Sequence, residues 1–403
     1  MSEFLNVINS EYQILAKQDI IYPKFKIELI DQSEKNIIKE ITEDIVLNTG
    51  SVSINYQQGV RRSCSFSIDN TTGEYTPSPV TGIFWIGTKF KLYYGLYDSD
   101  SSDIYWFCQG VFYVANPTNS HDYSSKIVNI SGIDKFGYLG SDLGYNQLTG
   151  AYQFKADQKI YNIIKDVLML ETGNGGVIDP IPPTLDPLYK DEVLPYDLKK
   201  SSGDYLGNIL VEIGNILGAN IFYDRNGSLT VKSGTLDISY SSEAPIWNFS
   251  DKELEYMSSN LTYDFSNVVN IITVVGTNVN DKIYTYTAEN RNPLSPTRID
   301  YIGRKEIAPI ETSIVHNDKS AKDYANFELN KRSIVQSGIN FSCSFLPHLD
   351  VDFVCAITDE YLGFTEERFV IQSVDLPMSN EGMASVTASN LASLPYYELL
   401  EAN

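Results

Sequence analysis

The strongest constraint on this chain is a two-residue rhythm. From about Lys24 to Lys135 apolar and polar residues alternate: Phe25, Ile27 and Leu29; Val52, Ile54 and Tyr56; Cys64, Phe66 and Ile68. The rhythm continues through Phe84–Tyr94, Tyr105–Val114 and Ile127–Ile133. Successive side chains of a strand point to opposite faces, so this alternation lines one face for a core and leaves the other for solvent or a neighbour. Turn residues punctuate it at Gln58-Gly59, Asp69-Asn70, Thr72-Gly73, Pro77, Pro79 and Asn116-Pro117. Short strands at such spacing predict an antiparallel barrel or sandwich. The aromatic residues, 28 Tyr and 18 Phe against 3 Trp, favour the same class.

The period changes near residue 156. Ile160, Ile163, Ile164, Val167 and Leu168 follow helical spacing, with Asp157 at the entrance. Gly173 to Pro187 reads as an irregular surface loop. Ser201 to Asp204 forms a capping-box arrangement before a second helix. That helix carries Leu206, Ile209, Leu210, Ile213 and Leu217 on one face and stops at Gly218. Asn226-Gly227 between two apolar runs predicts a hairpin. Strand patterning returns at Glu253–Gly276 and Lys282–Ala288. A third helix is expected from Ser320 to Lys331, with Ala321, Tyr324, Ala325 and Leu329 on one side. Ile339–Ala392 is strand-like again.

The two β-regions have parts in the same order. Val52–Tyr56 and Cys64–Ile68 parallel Asn260–Tyr263 and Asn270–Val275. Ile86–Leu92 parallels Leu349–Ile357, Gly110–Asn116 parallels Arg368–Val374, and Lys126–Ser131 parallels Met383–Ser389. One chain is thus expected to hold two copies of one β-unit, with helices inserted between and within them.

Length and charge narrow the function. A chain of 403 residues holds two or three domains. Thirty Lys and Arg against 52 Asp and Glu leave a net charge of −22. That balance argues against a duplex nucleic-acid binder, which needs cationic surface, and against docking on an anionic membrane. Residues 1–25 lack a basic start followed by an apolar run, so no signal peptide is read there. No apolar stretch approaches the ~18 residues of a membrane span. Cys64, Cys108, Cys343 and Cys355 have no CxxC spacing and read as free buried thiols of a reducing compartment. The glycosylation sequons at Asn70, Asn129, Asn248, Asn260 and Asn340 read as chance matches in an Asn- and Ser-rich chain.

Chemistry-bearing motifs are scarce. His121, His316 and His348 are far apart, and each reads as a surface or packing residue. There is no H-E-x-x-H, no G-x-S-x-G and no phosphate-cradling glycine loop. Asp98, Asp100 and Asp103 resemble part of a calcium loop but lack its central Gly and terminal Glu, so a solvated hairpin tip is expected. Arg61-Arg62 is a cationic island that reads either as an exposed turn or interstrand salt bridge, or as a docking point for an acidic neighbour.

The ordered set of pieces resembles the central hub proteins of long-tailed phage baseplates and tail tips, and of related contractile particles. Val52–Asp69 with Ile86–Leu92 resembles the family's opening barrel. Ala156–Leu170 and Ser201–Lys232, including GDYLGNILVEIGNILGANIFYDRNGSLTVK, resemble its helix-plus-hairpin insert. Leu261–Gly276 resembles the start of a second barrel, and Ser320–Lys331 with FLPHLDVDFVCAI and RFVIQSVDLPM resembles its close.

The resemblance implies a mainly β fold: two similar tube-forming antiparallel β-barrel domains plus a helix-containing inserted domain. It divides the chain into an N-terminal arm (1–20), a first tube-forming domain (21–150) and a helical and hairpin insert (151–235). The start of the second tube-forming domain (236–280), an insert with a helix (281–335) and the remainder with a C-terminal tail (336–403) follow. It implies a homotrimer whose six β-domains form a pseudo-sixfold ring, adapting a hexameric tail tube to a trimeric spike. Implied partners are further copies of the chain, a tail-tube or distal ring protein, a spike or tip protein and a tape measure protein. DNA would pass through an acidic channel without specific binding, and no membrane insertion is implied. The implied location is the virion tail, and the host cytoplasm during assembly. No catalytic, cofactor-binding or metal-binding residue is implied. Relatives that extend into a peptidoglycan hydrolase have sequence beyond the point where this chain stops, so an enzyme is not expected. The alternatives are a carbohydrate-binding adhesin, whose Tyr residues would stack on sugars, and a cell-wall hydrolase using a carboxylate pair.

Overall fold

Alternating burial becomes a sheet once each strand finds two neighbours. A computed structural model describes residues 7–390 except 82, 123–124, 141, 144–147, 149, 172–176, 234–242, 267, 277–282, 294, 313–314, 316 and 334–335. A short helix α1 (Ser10–Ala16) precedes eight strands: β1 (Pro23–Ile30), β2 (Ile37–Ile41), β3 (Ile45–Asn55), β4 (Arg62–Asp69), β5 (Lys89–Tyr97), β6 (Ile104–Val114), β7 (Thr118–His121) and β8 (Lys126–Asp134). In β4 the inward set is Cys64, Phe66 and Ile68, as the alternation requires. β3 bends at a register shift between Val46 and Ser51, where Asn48 has φ 62°. Gly50 lies inside this bend, and a Cβ there would sit 2.1 Å from the Ser65 carbonyl oxygen.

The middle of the chain folds as α2 (Lys135–Leu139), β9 (Tyr152–Phe154), α3 (Ile160–Leu168), β10 (Thr184–Leu185), β11 (Leu198–Lys200), α4 (Leu206–Leu217), β12 (Ala219–Tyr223) and β13 (Leu229–Ser233). Both predicted helices form with their apolar faces buried. Asp157 does not cap the first: α3 begins after Lys159 without a side-chain cap, and Asp157 has φ 63° with its N–H donating to Leu194. The capping box before α4 is likewise a closed turn, in which Asp204 accepts the N–H of Ser201 and leaves the helix start to Tyr205. Gly218 ends α4 in the left-handed conformation. β12 and β13 form the hairpin announced by Asn226-Gly227. The stretch read as a surface loop from Gly173 to Pro187 differs from that expectation in its described part: Ile178 and Asp179 are buried and Thr184–Leu185 pairs with β13. Its residues 173–176 lie outside the described residues.

The rest comprises β14 (Trp247–Ser250), β15 (Tyr256–Asp264), β16 (Ile271–Gly276), β17 (Thr285–Glu289), α5 (Ile299–Ile302), β18 (Ile310–Thr312), α6 (Asp318–Ser333), β19 (Gln336–Cys343), β20 (Val354–Asp359), β21 (Phe364–Pro377) and β22 (Ala384–Asn390). The fold is mainly antiparallel β, and one sheet of 14 strands runs through both β-regions.

That sheet contains one strand order twice. The first repeat reads β3-β4-β8-β6-β5, and the second reads β15-β19-β22-β21-β20. Phe66 and Phe341 are buried at corresponding places, as are Phe112 and Phe369. One expected correspondence is corrected. Asn270–Val275 is not the counterpart of β4; Ile271–Gly276 pairs with β17 and β18, and α6 covers it around Ile272, Val274, Ala321 and Ala325. The strand in the place of β4 is β19. The run from Val268 to Val275 is nearly continuous in apolar residues, so it carries no facing information that would name its sheet.

Candidate functional site

The two repeats meet edge to edge. β21 leaves β20 at Val370, opposite Val354, and beyond it the same edge pairs with β3. Ser373 to Pro377 runs antiparallel to Asn55 to Ser51, with Asp375 opposite Ser53 and Leu376 opposite Val52. Leu376 and Val52 are fully buried. The Ser53 hydroxyl donates to Asp375 on the outer face. Just past the end of β21 the Met378 N–H donates to the Gly50 carbonyl at 2.8 Å, and the Met378 carbonyl accepts from the Asn48 N–H at 2.8 Å.

Below this seam three parts of the chain converge on one carboxylate. Arg62, at the start of β4, donates from Nη2 to both oxygens of Asp350 at 2.7 Å. Arg225, in the β12–β13 turn, places Nε 3.2 Å from Asp350. All three are buried. Burial pushes the Asp350 carboxyl up, but the Arg62 and Arg225 guanidiniums outweigh it and hold the group below the ordinary carboxylate range. Gln109 ties the same place together, donating to the Pro347 carbonyl at 2.8 Å while Arg62 donates to its own at 3.1 Å.

Arg61 is buried as well, with its guanidinium 3.2 Å from the Phe222 ring centroid and 4.8 Å from that of Tyr56. The Arg61-Arg62 pair is therefore not an external docking point: its acidic neighbour, Asp350, belongs to the same chain. Asp134 accepts backbone N–H groups from Arg61 (2.7 Å), Arg62 (2.9 Å) and Phe136 (3.0 Å). Burial nevertheless raises its carboxyl to about 6.

A second buried network binds the middle region to the first repeat. Glu34 Oε1 lies 2.8 Å from both Lys89 and Lys135, and Lys135 is also 2.8 Å from Asp179. Tyr223 donates to Asp179 at 2.7 Å, and Lys135 donates to the Gly227 carbonyl at 2.8 Å. Burial raises Glu34, and the Lys135 and Lys89 charges overcome it and bring it below its usual value. None of these carboxylates is singled out by the sequence, because each is recruited by a lysine far away in the chain.

The remaining candidates take structural places. His348 is buried, with Nδ1 2.6 Å from the Tyr12 hydroxyl and its ring against Trp247 and Phe107. Burial, and then the Arg225 charge, depress it to about 3. His121 is exposed on β7, and His316 lies outside the described residues. Asp98 turns its carboxylate onto its own hairpin, accepting from Asp100 N–H and the Ser101 hydroxyl at 2.9 Å each. The cysteines are free; Cys64, Cys343 and Cys355 are buried and Cys108 is half-buried. Among the described residues no group of three His, Cys, Asp or Glu is placed to hold a metal ion.

A duplicated sheet seamed by backbone pairing and clamped by buried ion pairs defines a tandem β scaffold, whose distinctive feature is its edges. Solved structures of similar fold include tail proteins, some of them from prophages, and a chain of a PdpA-VgrG complex. The tail protein from Neisseria meningitidis MC58 is similar with a TM-score of 0.65 at 11% identity, over 92% of this chain and 98% of that one. The 43 kDa tail protein of prophage MuSo2 from Shewanella oneidensis is similar with a TM-score of 0.59 at 12% identity, over 92% and 99%. A chain of the Francisella PdpA-VgrG complex is similar with a TM-score of 0.56 at 12% identity, over 98% of this chain and 56% of that one. No protein-family model and no curated protein sequence matches the chain.

Proposed function

We propose that this chain is a structural hub of a phage tail tip or baseplate. The observation that carries the reading is the repeated strand order joined edge to edge within one chain. A protein built this way presents two quasi-equivalent β-faces. Three copies therefore supply six, which suits a threefold spike on one side and a sixfold tube on the other. The tail proteins of similar fold support the same assignment. In this reading the chain divides into an arm, two tube-forming domains and inserts, with β16 counted in the second insert rather than in the second tube-forming domain; the tube and spike proteins are the partners, and the chain performs no catalysis. It is a virion component, assembled in the host cytoplasm.

The charge fits a conduit. At −22 per chain, acidic side chains on a ring's inner wall would repel passing DNA at contact distances, since screening confines the effect to about 8 Å at physiological salt. The direct experiment is native mass measurement of the purified chain with negative-stain imaging. A ring of three copies is the expected outcome; a monomer at every concentration tested removes the proposal's basis.

A further inference from the structure

The internal seam has two unused counterparts, and we infer that they pair with each other between copies of the chain, β7 of one copy against β15 of the next. The proposal rests on the hub reading above and adds the junction that would build the ring.

The registers supply the correspondence. Tyr113 in the first repeat matches Val370 in the second, because each is the last residue opposite its hairpin partner, Lys89 and Val354 respectively. Stepping across the sheet, Ile133 then matches Ser389, Ser63 matches Gly338, and Ser53 matches Thr262. On the same strands Thr118, opposite Asn129, matches Asp375, opposite Ser385. So β7 is the first repeat's version of the end of β21, and β15 is the second repeat's version of β3.

Inside the chain, the end of β21 and β3 pair. Their counterparts are both open among the described residues: there β7 pairs only with β8, and β15 ends the sheet with β19 as its one neighbour. The burial difference follows the same line. Ile54 is fully buried in the seam, whereas its counterpart Tyr263 is 56% exposed. Met257 and Phe265 are exposed along the same strand and just beyond it. β15 carries no Lys, Arg or Pro and a single charged residue, Asp264 at its end, so its length lacks the residues that usually guard a free edge. β2, at the other end of the sheet, carries Lys39 and Glu40 and has no counterpart in the second repeat, so the seam offers no template for it.

Copying the seam sets the register. Asp375 opposite Ser53 becomes Thr118 opposite Thr262 of the next copy, and Asn119, Ser120 and His121 then face its Leu261, Asn260 and Ser259. The contact is head to tail, so it closes into a ring or runs on as a filament according to the turn per copy.

The test is a Thr118→Cys/Thr262→Cys variant of the full chain under mild oxidation. Both positions are exposed and correspond to the outward Asp375–Ser53 pair, so the native fold is kept and a melting curve verifies it. Disulfide-linked oligomers are expected. Thr118→Cys/Ser258→Cys, displaced by four residues or ~13 Å along the strand, should give at least about tenfold less. Equal cross-linking of the two variants, in a wild-type chain that still forms three-copy rings, overturns this junction and leaves the hub reading intact. A wild-type chain that stays monomeric overturns both.

Discussion

Arg62 and Asp350 stand 288 residues apart in sequence and close against each other with one guanidinium nitrogen 2.7 Å from both carboxylate oxygens. One belongs to the first repeat and the other precedes β20 in the second, so the pair fixes how the repeats sit. A buried ion pair gains little over apolar residues of the same shape, but removing one partner strands the other. Arg62→Ala leaves Asp350 with Arg225 alone and should cost about 3–5 kcal/mol, read as a lowered urea midpoint. The triple variant Arg62→Met/Asp350→Leu/Arg225→Met, which leaves none of the three charges stranded, should lose markedly less. Equal losses in both would show that the charges do not act as a unit.

Gly227 docks the hairpin of the middle region onto the first repeat. Its φ is +79°, and a Cβ would lie 2.6 Å from Val111 Cγ2 on β6. Its carbonyl accepts from Lys135. Gly227→Ala therefore meets backbone strain and overpacking together, and should destabilise by about 1–3 kcal/mol. Limited proteolysis should report it as earlier cleavage within 223–229, with the β3–β21 seam still protected. Wild-type protection of that hairpin would contradict the docking.

Much of the architecture was legible because its signals are local. The alternation in β4, the one-sided spacing of α4 with Gly218 at its end, and the Asn226-Gly227 turn each depend on residues a few positions apart. What was hidden depends on partners far away. Arg61 and Arg62 look like surface charges until Phe222 and Asp350 arrive from elsewhere. Asp179 sits in a Gly- and Pro-rich stretch and is buried only because Lys135 and Tyr223 need an acceptor. The strand order itself repeats, but a continuous apolar run such as Val268–Val275 cannot say which sheet it joins, and so β19 was missed as the partner of β15.

The repeat makes a quantitative claim about cores. Phe66 and Phe341 occupy corresponding positions on β4 and β19, and both are buried in one continuous hydrophobic cluster. Each Phe→Ala change should cost about 3–5 kcal/mol. Because the cluster is shared, each variant should unfold in a single cooperative transition. Separate transitions for the two repeats, seen by calorimetry, would show instead that they melt as independent bodies.

Two buried groups set opposing pH slopes. The His348 imidazole is held at about 3 against 6.5 when free, so between those values only the unfolded chain carries the proton, and stability falls as pH drops. Asp134 is raised to about 6 against 3.8, so between those values the folded chain holds the extra proton and stability rises as pH drops. From pH 6 to about 4 the two slopes oppose each other, each at up to about 1.4 kcal/mol per pH unit. Asp134→Asn keeps a side-chain oxygen for the Phe136 N–H but cannot titrate, so it should expose the His348 slope. Relative to wild type, the variant should lose stability progressively as the pH is lowered through this window. Urea midpoints at pH 4, 5 and 6 measure the difference, and a gap between variant and wild type that stays constant with pH would rule out Asp134 as the compensating group.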